Sequence, residues 1–369
     1  KCRKTIQIFE KLDEKNCRFG KGMELAVLGM LSLTTNNIDK AVNDIADINE
    51  YLLSCKGFGA FGTGKSQRIM YAALLVAQEY KKYAYVFPVN TTASYTYNET
   101  TSVLRTNFTV ATEVKEGSNT NVLQGLLPHQ WANLAADSPT PQGYSYASIR
   151  GELKTLDGNC FSVENKFKGI LPTLPYVNNN SVGFNPASLN EKVTALENDQ
   201  LATWTDSYNE GQVMNRLIQT ARIAQETGNT VSRDKMLQTV KERLENWLTV
   251  TSGEKAFLFY YNTTWSALLG YPAGHGQDTN INDHHFHWGY FIHAAAFVEQ
   301  FQPGWAQQFG PMIDLLVRDA ASTDRNDTLF PYLRNFSPFA GHCWANGFAS
   351  FPQGRSEEHT SELQSLAYL

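Results

Sequence analysis

Near Tyr83 the chain changes the period of its apolar residues, and near Asn185 it changes back. Ahead of Tyr83, "GMELAVLGMLSL", "IDKAVNDIADINEYLLSC" and "SQRIMYAALLVAQEYKKY" carry apolar residues at helical spacing, with glycines between the runs. Behind it, "YAYVFPV", "TASYTYNE" and "LRTNFTVATEV" alternate and are rich in Thr, Tyr and Val, residues that suit a pleated, half-buried surface. From about Asn185 the helical period returns in "GQVMNRLIQTARIAQETG", "SRDKMLQTVKERLENWLTV", "HWGYFIHAAAFVEQF" and "FGPMIDLLVRDAAS". A segment of helical period does not settle as a strand, nor the reverse. The expectation is therefore an α+β multidomain chain: a helical head over 1–82, a β-rich piece over 83–130, a mixed piece over 131–184 and a helical piece over 185–354. Its 369 residues suit two or three domains.

Composition narrows the partners. A net charge of −5 gives no electrostatic reason to bind nucleic acid. No run of about 18 apolar residues exists, so no membrane span is expected. Aromatics reach 12%, enough to serve both a core and flat apolar ligands such as sugar rings. Head and body differ. Three of the five cysteines lie in the first 55 residues, all seven tryptophans follow residue 130, and Asn-x-Ser/Thr sites occur only from Asn90 onward. That density of glycosylation sites points to an extracellular body. The N-terminus lacks both Met and an apolar signal core, so the chain reads as a fragment. Residues 355–369, "RSEEHTSELQSLAYL", resume no earlier pattern. Their first eleven match an in-frame translation of a short-read sequencing adapter, which sets them outside fold reasoning. The alternative is a natural polar helix.

Three stretches carry candidate chemistry. "GAFGTGKS", residues 59–66, satisfies the phosphate-loop pattern, with Lys65 for phosphates and Ser66 for Mg²⁺. The run before it looks like a helix end and not a buried strand, which favours a glycine-rich turn between helices. "INDHHFHWGY" sets Asp283 beside His284, His285 and His287. Their spacing is wrong for one helical face. In a strand, Asp283, His285 and His287 share a side and could hold a metal. The alternatives are a buried, hydrogen-bonded strip, or a carboxyl whose desolvated surroundings let it carry and donate a proton. Around it lie "GLLPHQW", "YSYASIRGELK", "GILPTLP", "TDSYNEGQ", "LLGYPAGHG" and "FPYLRNFSPFAGHCWANG". Together they supply aromatic plates for sugar C–H faces and His, Asp and Arg for hydroxyls.

With these pieces in this order, residues 83–354 resemble glycoside hydrolase family 81, the endo-β-1,3-glucanases. "NDHHFHWGYFI" is the most specific match, supported by "LPHQW", "RGELK", "GILPTLP", "LVRDAA" and "FPYLRNFSPFAGHCWANG". The resemblance implies the remnant of a β-sandwich, a small linking domain and a truncated (α/α)6 barrel. It also implies hydrolysis of β-1,3-glucan with inversion, without metal or cofactor. Asp283 would be the general acid, facing a glutamate base across a cleft. Asp206, Tyr208, His284, His285, His287, Tyr290, His342 and Trp344 are the candidates for substrate contact or support. The family continues past "GHxWAxG" into an acidic, serine-rich stretch with two glutamates. Here the adapter-like tail stands in that place, and Glu358 and Glu362 fall near the two positions by spacing alone. The non-catalytic alternative is a fragment that binds glucan without a base. The head resembles, faintly, an uncharacterised helical bacterial family, and so reads as an unrelated fusion.

Overall fold

The computed structural model describes residues 80–143, 145–169, 182–197 and 205–346. The head motif at 59–66 and the two glutamates at 358 and 362 lie outside them. The chain divides into two compact units between Phe167 and Lys168.

In the first unit, strands β1 (Val86–Asn98) and β2 (Val103–Val114) form a long antiparallel hairpin. Most of the two alternating runs, 83–89 and 92–99, thus falls in one strand, which takes up the proline through a register shift between Pro88 and Asn90. Short strand β3 (Leu123–Leu126) follows, then a single helical turn, α1 (Pro128–Trp131). Pro128 opens that turn, where no N–H is needed, and Gln130 reaches back to the Leu127 N–H at 2.8 Å. Strands β4 (Ser145–Ser148), β5 (Gly151–Asp157) and β6 (Cys160–Lys166) complete the unit. The sheets run β1-β2-β6 and β3-β5-β4. Phe108 on β2 lies opposite Phe161 on β6, with rings stacked at 4.7 Å, inside a core with Leu126, Leu156 and Val163. Because β6 pairs with β2, residues 131–167 share a unit with 83–130. The first compact unit runs on to Phe167.

The second unit is built mainly from helices that pack on one another. Helix α2 (Pro186–Glu197) precedes α3 (Ser207–Glu226) and α4 (Thr230–Leu248). A hairpin, β7 (Leu258–Asn262) with β8 (Ala267–Tyr271), leads to α5 (His284–Phe301) and α6 (Trp305–Ala321). A two-residue ladder, β9 (Phe336–Ser337) with β10 (His342–Cys343), follows. Trp247 of α4, Phe259 of β7, and Trp288 and Phe291 of α5 meet in tilted and edge-to-face pairs at 5.0–5.4 Å and bind hairpin to helices. A buried, two-pronged ion pair joins Glu210 of α3 to Arg243 of α4. The architecture is mixed α/β, and among the described residues no helix is long and apolar enough to cross a membrane.

Candidate active site

Asp283 sits at the N-cap of α5, and its backbone is left-handed, with φ 56° and ψ 29°. The helix therefore starts at His284, three residues before its clear apolar period, and the strand geometry that would set Asp283, His285 and His287 on one side is not formed. Left-handed residues crowd this segment: His275 (φ 54°), Ile281 (φ 49°) and Asp283. For a β-branched residue such as Ile281 that is strain, and strain of this kind gathers where a fold must aim a side chain. Several bonds hold Asp283 there. Its N–H donates to the Ala345 carbonyl at 2.8 Å, and its own carbonyl accepts the His287 N–H at 2.9 Å. The Asn282 amide donates to the His275 carbonyl at 3.0 Å and to Asp283 Oδ2 at 2.6 Å. The carboxyl is half-buried.

The first turn of α3 supplies the neighbouring group. Asp206 caps the helix, with Oδ1 accepting the N–H groups of Tyr208 and Asn209 at 2.9 and 3.2 Å. Burial pushes this carboxyl up, but the Asn209 amide and these N–H groups outweigh it and hold it below the usual carboxylate range. The cap fixes Tyr208, whose ring meets His275 (4.4 Å), His287 (5.5 Å), Phe286 (5.6 Å) and Tyr290 (6.2 Å). Gln212, one turn along α3, donates to the Tyr290 hydroxyl at 2.6 Å and to the Tyr208 hydroxyl at 3.2 Å. Close approach makes this possible. Gly211 faces Tyr290 and Gly274 faces Asp206, and a Cβ at either would overlap its neighbour.

The histidines point inward. His284 directs Nδ1 to Asp319 Oδ2 at 2.6 Å and Nε2 to the Gln277 carbonyl at 2.9 Å, so both ring nitrogens are engaged by protein oxygens. His287 is fully buried with Nδ1 2.9 Å from the Ser207 hydroxyl, and burial lowers its pKa to about 3, keeping it neutral. His285 is buried too. All three candidates for substrate contact or support are thus buried among the described residues. Among the described residues no three His, Cys, Asp or Glu side chains are grouped to hold a metal ion. His342 and Trp344 pack edge to face at 4.6 Å, and their segment is fixed to Asp283 by the Ala345 bond. Sequence reasoning missed Ser207, Gln212, His275 and Asp319 as members. Each lies in or beside a quoted motif, but nothing in its type marks it without the fold.

A half-buried acid at a strained helix start, with Tyr208 set against Phe286 and Tyr290 of the helix that follows it and polar groups held by caps, is an arrangement that a saccharide cleft can use. The description "Glycosyl hydrolase family 81 C-terminal domain" matches residues 180–369, and "Protein of unknown function (DUF4003)" matches residues 1–109. A glucan endo-1,3-beta-D-glucosidase of Acetivibrio thermocellus is 42% identical over 287 residues, covering 77% of this chain and 36% of that protein. One of Thermobifida fusca is 38% identical over 296 residues, covering 78% and 38%. A solved mutant of glycoside hydrolase family 81 from Clostridium thermocellum (CtLam81A) superposes with a TM-score of 0.69 at 40% identity, over 79% of this chain and 40% of that one. The chain belongs to glycosyl hydrolase family 81. It spans little more than a third of the length of these relatives.

Proposed function

We propose that the chain carries the acid half of an endo-acting β-1,3-glucan hydrolase that inverts the anomeric carbon. The observation that carries the reading is Asp283, held left-handed and half-buried between Asn282 and Ala345, at the start of the helix whose Phe286, His287 and Tyr290 meet the Tyr208 ring. A carboxyl so placed can protonate the glycosidic oxygen while a second carboxylate activates water, the two standing about 6.5–9.5 Å apart to admit that water. Glu358 and Glu362 are the positional candidates for that second side. Both protons travel on carboxyls, so the reaction calls for no metal or cofactor. Tyr208, Tyr290 and Trp344 would stack on glucose units, with Asp206 fixing Tyr208 and His342 fixing Trp344. The paired helices α3/α4 and α5/α6 would form part of an (α/α)6 barrel, and the glycosylation sites fit an extracellular enzyme. The names of the relatives, glucan endo-1,3-beta-D-glucosidase, support the substrate class.

Laminarin separates the outcomes. A chain in which Glu358 or Glu362 supplies the base hydrolyses it, and Asp283→Asn then loses hydrolysis while keeping its affinity for laminari-oligosaccharides. Hydrolysis by Asp283→Asn at the parental rate would overturn the acid assignment. Binding without turnover in the parent chain would favour a glucan-binding module instead.

A further inference from the structure

We propose that Asp319 is a positioning residue for the acid: through His284 on one side and Arg334 on the other, it keeps the segment carrying Asp283 in register with residues 342–345. The proposal rests on the reading of Asp283 as the acid. Asp319 is fully buried in α6, inside the "LVRDAA" stretch, and the reaction as described gives it no role. Its two oxygens serve different parts of the site. Oδ2 accepts His284 Nδ1–H and Trp288 Nε1–H, both at 2.6 Å and both from the first turns of α5. Oδ1 accepts the Leu268 N–H of β8 and Arg334 Nη2–H, both at 3.0 Å. Arg334 also donates to the Asp319 carbonyl at 2.7 Å and to the Ser266 carbonyl at 2.6 Å.

The two tethered segments are the strained ones. His284 directly follows left-handed Asp283, and its far nitrogen is pinned to Gln277, so the ring is held at both ends. Arg334 lies between left-handed Leu333 (φ 44°) and Asn335 (φ 54°). Asn335 accepts the Trp344 N–H at 2.9 Å, and Ala345 accepts the Asp283 N–H at 2.8 Å. The contacts close a ring: Asp283, His284, Asp319, Arg334, Asn335, residues 344–345, and back to Asp283. Unfavourable backbone of this kind persists only where its surroundings over-determine it, and Asp319 is the point at which both halves meet. Burial would push its carboxyl up, but His284, Arg334 and Trp288 together hold it below the usual range, so the ring is closed by an anion.

Laminarin kinetics and crystal structures of the full chain, its Asp319→Asn and His284→Phe variants and the double variant test this. In Asp319→Asn, φ at Asp283 leaves the left-handed region and kcat falls about 10²-fold, the cost of misplacing a reacting group by about 1 Å, with KM nearly unchanged. Adding His284→Phe costs little more, because the His284–Asp319 contact is already lost in Asp319→Asn. Additive losses, or an Asp283 that stays left-handed in Asp319→Asn, overturn the proposal. Should Asp319→Asn not fold, His284→Phe alone carries the same test, since it leaves the Arg334 pair in place. A parent chain that turns over no laminarin, while Asp283 still shifts in Asp319→Asn, counts against Glu358 and Glu362 as the base and supports the positioning role.

Discussion

Asp206 illustrates how one residue does local and distant work. As a cap it satisfies two N–H groups at the start of α3, and by doing so it sets the angle at which Tyr208 meets His275 and His287. Asp206→Ala is expected to lower stability by about 1 kcal/mol, the usual cost of losing a cap, and to weaken laminari-oligosaccharide binding by loosening Tyr208. Thermal melts and calorimetry read the two effects separately; an unchanged melting temperature would show that the cap carries no stability. At this scale the sequence made Asp283, Asp206 and Tyr208 visible because they stand among aromatics in "TDSYNEGQ" and "INDHHFHWGY". It gave no sign that His284 turns away toward Asp319. Residue type names a donor, but burial and direction decide what it donates to.

Among elements, the approach of α3 to α5 is set by Gly211. A Cβ there would lie 2.5 Å from Tyr290 Cδ2 and 2.7 Å from Tyr290 Cβ, too near the backbone of α5 for a side-chain swing to relieve it. Alanine is the better helix former by about 1 kcal/mol, yet overpacking costs about 1–3 kcal/mol. Gly211→Ala is thus expected to lower the melting temperature and to displace Tyr290 from Gln212. A rise in melting temperature would show that the helices separate freely. Period alone made α3, α4, α5 and α6 legible, to within a few residues. It missed the first turn of α5, because "DHHFH" contains no clear apolar repeat and its start is fixed by tertiary bonds to Ala345, Asp319 and Gln277. The single β1 was read as two runs because Asn90 and Thr91 break the alternation between them, whereas its pairing with β2 continues through a register shift between Pro88 and Asn90.

For the molecule as a whole, buried histidines make stability depend on acid. An unfolded imidazole takes its proton near pH 6.5, whereas folded His287 does so only near pH 3 and His293 near pH 4, chiefly because burial disfavours the charged ring. Between those limits the unfolded chain binds more protons, so stability is full above pH 6.5 and falls as pH falls, by about 1.4 kcal/mol per pH unit for each ring. A melting temperature that stays level from pH 7 to pH 4.5 would contradict this. By itself, the sequence determined the alternation of helical and strand-forming segments, the family and the acid candidate, because period and local motif are written in consecutive residues. Only the tertiary structure decided where the units divide, which way the histidines face and what holds Asp283 left-handed. Those depend on groups such as Asp319, Arg334 and Ala345, far apart along the chain and brought together by packing.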